Sequence, residues 1–184
     1  NNYRYAGDVT AYVNGTRLAQ SVGGLCGLTF AETIKNCEID CAVSTADGKT
    51  QCGGIVGVDK GYSKITKCKN LGTVSSFRYM GGIIGRCNHN AQISECINKG
   101  NITSKATASQ KADDIGGICG NIANSNCSLD YCENYGTISL NNQKNGGGIV
   151  GSLDTGFANQ ALMLLVGCIA SSTRHKHLAN VGED

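Results

Sequence analysis

Eleven of the 184 residues are cysteines and three are histidines, side chains that hold metal ions or attack electrophiles when spacing brings them together. Here the spacing supports neither. No C-x-x-C pair occurs and no histidine lies within the repeated cysteine signatures, so the paired spacing of a zinc site is missing and no metal ligand is predicted. An odd number of thiols leaves at least one outside any disulfide within the chain. Carboxylates come next, because parallel β-folds that cleave polysaccharides need acids converging on one groove, often around calcium. The candidates are Asp59, Asp113, Asp114 and Asp154. Each falls in a stretch flanking a glycine-rich signature, and the adjacent Asp113 and Asp114 would point to opposite sides of a strand; all four read as solvated loop acids. His89, in the polar stretch 86–92, and His175 and His177, in the C-terminal tail, read the same way. With no G-x-S-x-G, H-E-x-x-H or phosphate-binding loop in the sequence, no catalytic residue and no cofactor is predicted.

What recurs instead is a pair of signatures. Gly-Gly-aliphatic-x-Gly begins at Gly23, Gly53, Gly81, Gly116 and Gly147, intervals of 30, 28, 35 and 31 residues. Between successive copies runs aliphatic-x-x-Cys-x-Asn-x-Gly-x-aliphatic. It is complete three times: Ile65, Cys68, Asn70, Gly72, Val74; Ile93, Cys96, Asn98, Gly100, Ile102; and Leu129, Cys132, Asn134, Gly136, Ile138. An earlier copy keeps Ile34, Cys37 and Val43 but has Ile39 in the Asn slot and Cys41 in the Gly slot. Gly7 and Val9 fit the frame at the start, and Leu165 and Cys168 at the end. Repeats of this length could be helical, but no run before Gln160 carries apolar residues at i, i+3, i+4 and i+7. Short β-branched runs punctuated by glycine gain a core only by stacking on copies of themselves. The predicted fold is therefore all-β: a parallel β-solenoid of four to five coils over residues 1–152, right-handed by the general preference of parallel crossovers. Residues 153–184 would supply a terminal coil or cap, built on the apolar run Gln160 to Val166, and an irregular tail. Unpaired strands at the solenoid ends would favour end-to-end self-association.

Parity assigns the slots. Cys68, Asn70, Gly72 and Val74 share one side of an extended run, and Lys69, Leu71, Thr73 and Ser75 the other. Asn70, Asn98 and Asn134 should stack at a corner, each amide bonded to turn backbone and to its neighbour, because a buried amide without partners is costly. Gly72, Gly100 and Gly136 would supply a dihedral that other residues resist. Cys37, Cys68, Cys96, Cys132 and Cys168 should form an inward column of small hydrophobes. Parallel neighbours keep Cβ atoms about 4.8 Å apart, whereas a disulfide wants about 3.8 Å, which favours reduced thiols. Cys26 and Cys119 take an aliphatic slot in the glycine signature, and Cys52 sits where Val22, Met80 and Ile115 sit elsewhere. Outward, Thr10, Ser44, Ser75, Thr103 and Ser139 form one column, and Asp8, Ala42, Thr73, Asn101 and Thr137 a second. Thr73, Ser75, Thr103, Thr137 and Ser139, with Tyr135 beside them, make a candidate interaction face.

Glycine at 26 residues, about twice average usage, with no proline or tryptophan, 5% aromatic and 16% charged residues, excludes collagen, proline-rich linkers, disorder and an aromatic nucleic-acid platform. A net charge of +2 without a basic run gives a polyanion such as nucleic acid little to hold. No apolar stretch is long enough to span a membrane, and the opening Asn1-Asn2-Tyr3-Arg4 has no signal-peptide pattern. Over residues 5 to 152 the linked signatures resemble the GLUG-motif repeats of bacterial surface and secreted proteins, among them immunoglobulin A protease stalks and adhesin-like proteins. The resemblance implies an extracellular or cell-surface location and a non-enzymatic role as adhesin body, spacer or surface for a host protein or glycan. The rival readings are a fragment of a β-helix polysaccharide lyase or hydrolase and, from the hydroxyl columns, an ice-binding protein.

Overall fold

The computed structural model describes residues 3–6, 9–11, 21–46, 50–107, 114–123, 126–141, 145–153 and 164–170. They form a parallel β-solenoid, all strand and turn among the described residues, whose five sheets run along one axis. Every pairing in these sheets is parallel, between a segment and its counterpart one coil away. One complete coil shows the cycle. Gln51–Gly53 and Val56–Asp59 carry the glycine signature, Lys64–Thr66 leads into the second signature, Lys69–Asn70 carries the asparagine, and Val74–Ser76 returns to the start. The corresponding sheets are called here the first glycine, second glycine, lead-in, asparagine and hydroxyl sheets. Strands of two to four residues cannot persist singly; each gains its hydrogen bonds only from the coils on either side.

Alternation fixes which residues enter the core. In the lead-in sheet Ile65 is level with Ile34 and Ile93, and in the hydroxyl sheet Val74 is level with Val43 and Ile102. Ile55, Ile83 and Ile118, the aliphatic residues of the glycine signature, are fully buried beside them. The core is thus a set of one-residue columns in which each aliphatic side chain touches its own homologue. Beyond the last complete copy, Leu164–Val166 pairs with Ser128–Asp130, with Leu165 level with Leu129, and Ile169–Ala170 extends the asparagine sheet.

The corners repeat as faithfully as the strands. At the turn from lead-in to asparagine sheet, Asn36, Lys67, Glu95, Tyr131 and Gly167 all have φ between 51° and 61°. At the preceding turn Ala31, Tyr62, Asn90 and Asn126 have φ between 41° and 69°. The left-handed region costs a residue with a Cβ about 1–2 kcal/mol, so the solenoid bends by placing a strained residue at the same angular position in each coil. Ala31→Gly should therefore raise stability by about 0.5–1 kcal/mol, read as an upward shift of the urea midpoint. An unchanged or lower midpoint would mean that the corner is not strained.

Candidate functional site

The repeated polar residues lie inside. Asn70, Asn98 and Asn134 occupy level positions in the asparagine sheet and are almost completely buried. Asn70 Nδ2 donates to Asn98 Oδ1 at 2.8 Å, and Asn98 Nδ2 donates to Asn134 Oδ1 at 2.8 Å. Each Nδ2 also donates to the carbonyl two residues on, of Gly72, Gly100 or Gly136, at 2.9 to 3.2 Å. The Gly100 and Gly136 amides donate back to Asn98 and Asn134 Oδ1. The ladder has two ends. Ile39 stands below Asn70, whose Oδ1 is buried without a partner, and Ala170 stands above Asn134.

The two sequence signatures touch across this ladder. A Cβ on Gly54 would lie 2.4 Å from Asn70 Cγ, one on Gly82 2.2 Å from Asn98 Cγ, and one on Gly117 2.4 Å from Asn134 Cγ. The second glycine of these three signatures is thus the seat of the asparagine in the same coil. Gly72, Gly100 and Gly136 correct the sequence expectation of an unusual dihedral, since none lies in the left-handed region. Crowding along the axis is the reason for glycine there: a Cβ on Gly100 would lie 1.8 Å from the Gly72 carbonyl oxygen, and one on Gly136 2.0 Å from that of Gly100.

The thiols are also interior. Cys37, Cys68, Cys96 and Cys132 are buried and Cys168 half-buried, and none of the eleven cysteines is in a disulfide. Cys96 Sγ donates to the carbonyls of Ile65 and Ser94, and Cys132 Sγ to those of Ile93 and Asp130, so the rung thiols stitch the core to the lead-in sheet. Burial pushes the Cys52 thiol up to about 12 and that of Cys26 to about 11, while Cys96 is raised by its hydrogen bonds with Cys132 and Cys68 and by burial. Cys52 and Cys26 stay protonated at neutral pH and are poor nucleophiles. A second cluster places the Cys87 and Cys119 sulfurs 3.7 Å apart. No group of three or more potential ligands could hold a metal ion among the described residues.

Two of the acids read as solvated are buried. Asp59 is fully inside, in an inward column with Thr29 below and Cys87 above, and Thr29 Oγ1 donates to its Oδ1 at 3.1 Å. Asp114 accepts from Asn121 Nδ2 at 3.0 Å and from Asn145 Nδ2 at 3.2 Å, at a bend between the two glycine sheets. Tyr79 and Arg86 make the matching contact one coil earlier, with the Arg86 guanidinium 4.9 Å from the ring centroid. Asp114 therefore serves the bend, where the tight glycine turn brings residues seven apart into contact, while Asp59 links adjacent coils through Thr29 and keeps its Oδ2 buried without a partner. Asp113, Asp154, His175 and His177 lie outside the described residues; His89 is exposed.

The outward hydroxyl column is level across the coils, Ser44 with Ser75, Ser75 with Thr103, and Thr103 with Ser139. Thr103 and Ser139 are exposed and Ser44 and Ser75 half-buried. Thr73 and Thr137 are exposed beside them, and the Thr137 amide donates to Asn101 Oδ1. Tyr135 projects from the neighbouring corner and donates its hydroxyl hydrogen bond to Glu133 at 2.7 Å. An inner hydroxyl column escaped the sequence reading: Thr45 and Ser76 hydrogen-bond to each other and, with Ser104, are buried. Comparison of the chain with protein-family models, with curated proteins and with solved structures gives no match.

Proposed function

We propose that this solenoid is a non-catalytic binding module of a secreted or cell-surface protein, presenting its outer faces to a host protein or glycan. The carrying observation is that the repeated asparagines are used up inside the solenoid while the outward positions beside them vary. Asn70, Asn98 and Asn134 spend their amides on one another and on adjacent backbone. The residues that follow them, Leu71, Lys99 and Tyr135, share one place in the coil yet differ in chemistry, and the last two are exposed. Stacked repeats of this kind hold an extended surface rigid while leaving its composition free to vary, which suits recognition. The resemblance to GLUG repeats supports the surface location. Its test is binding of the protein to immobilised polysaccharides and extracellular-matrix proteins, with bound polysaccharide assayed for new reducing ends. Saturable binding without chain cleavage is expected; cleavage by the purified protein would overturn the reading in favour of a lyase or hydrolase.

A further inference from the structure

One surface combines charge, an exposed aromatic residue and an arginine held in place by a stacked tyrosine. Where the second glycine sheet turns toward the lead-in sheet, Phe30, Lys60, Arg86, Asn88, His89 and Ala123 line an open cleft of about 470 Å³. Its wall is built along the solenoid axis. Lys60 N donates to Thr29 O, Asn88 N to Asp59 O and Ala123 N to Cys87 O, so Phe30, Lys60, Asn88 and Ala123 follow the strand ends of four successive coils. At about 4.8 Å per coil the row is roughly 14 Å long, enough for a short oligosaccharide. Among the described residues, two cationic side chains, Lys60 and Arg86, line it and no carboxylate does. Phe30 is 57% exposed, unusual for a residue with no polar handle. Arg86 is held by Tyr79, its guanidinium stacked at 4.9 Å from the ring centroid, and its Nε is buried without a hydrogen-bond partner. Unmet buried donors are rare and ask for an explanation.

We propose that this cleft binds the carboxylate of an acidic sugar within an extended polysaccharide. The inference rests on the reading of the chain as a binding module and names its ligand class. Arg86, pre-oriented by the tyrosine, offers a planar fork that matches a carboxylate. Lys60 adds a second positive charge one coil away, the Asn88 amide has both a donor and an acceptor for hydroxyls, and the Phe30 ring supplies a flat apolar face for a sugar ring. A peptide polyanion would use the charges and leave the ring idle, which is why a glycan is favoured.

Titration calorimetry with an oligogalacturonate, its methyl ester and polyglutamate separates these contributions. The oligogalacturonate should bind, with the ester and polyglutamate at least tenfold weaker. Lys60→Gln and Arg86→Gln should each weaken binding about tenfold or more, and Phe30→Ala severalfold, while Lys69→Gln on the asparagine sheet leaves it unchanged. Lys60 is exposed, so its variant keeps the test valid if loss of the Arg86 stack disturbs folding. Equal binding of polyglutamate would replace the sugar with a peptide or general polyanion and overturn the proposal. Oligogalacturonate binding that is insensitive to Lys60, Arg86 and Phe30 would overturn the site while leaving the binding-module reading intact, and no binding of the oligogalacturonate would do the same. Cleavage of the oligosaccharide would instead overturn the module reading.

Discussion

Gly82→Ala is expected to cost about 3 kcal/mol or more, at the top of the range for overpacking and a large part of a typical domain's stability. The new methyl would sit 2.2 Å from Asn98 Cγ and 2.3 Å from the Gly117 carbonyl oxygen. Neither neighbour can yield cheaply, since the amide is held by four hydrogen bonds and the carbonyl belongs to the next coil. Gly61 supplies the internal control: a Cβ there meets nothing within 4 Å and its φ is not in the left-handed region, so Gly61→Ala should be neutral or slightly stabilising. Urea denaturation of the two variants measures the contrast. Similar midpoints would show that the glycine signature is not a packing requirement.

The second large effect is Asn98→Ala, expected at about 3 kcal/mol or more because several buried groups lose partners together. Asn98 donates to Asn134 Oδ1 and Gly100 O and accepts from Asn70 Nδ2 and the Gly100 amide. Asn134 has three such bonds, lacking an amide partner above, and Asn70 has two, since its Oδ1 is unpartnered. The loss should therefore fall in the order Asn98, Asn134, Asn70 when each is replaced by alanine. Equal losses at the three positions would mean that the rungs act independently of their neighbours.

The architecture was readable because its determinants repeat. Five copies of one signature and three of the other gave the coil length, and parity alone separated Asn70 and Cys68 from Lys69 and Thr73. Determinants that do not repeat in kind stayed hidden. The left-handed corner is occupied by Asn36, Lys67, Glu95 and Tyr131, residue types with nothing in common that a pattern could detect; only the backbone position is shared. Asp59 was misread for a related reason. Its column also contains Thr29, Cys87 and Ile122, so no slot marked it as inward, and its polarity suggested solvent. The glycines after each asparagine were recognised but explained by dihedral freedom, whereas the cause is the close approach of the preceding coil, which needs the register between coils. The cleft of Phe30, Lys60 and Arg86 draws on separate coils and becomes visible only once they are stacked.

The seating of each asparagine on a glycine of its own coil has a genetic consequence. Everything a coil must supply to be accepted by its neighbours is encoded in one continuous stretch, so recombination between repeats in phase trades complete units. Deleting residues 82–116 would join Gly81 to Gly117, restore an uninterrupted glycine signature, and bring Asn70 beneath Asn134 with the amide spacing intact. A breakpoint shifted by a few residues would separate a seat from its asparagine and leave both unpaired. Such a gene can lengthen or shorten in whole turns while its product keeps folding, and the reach of the molecule becomes a trait that selection can adjust without touching its interior.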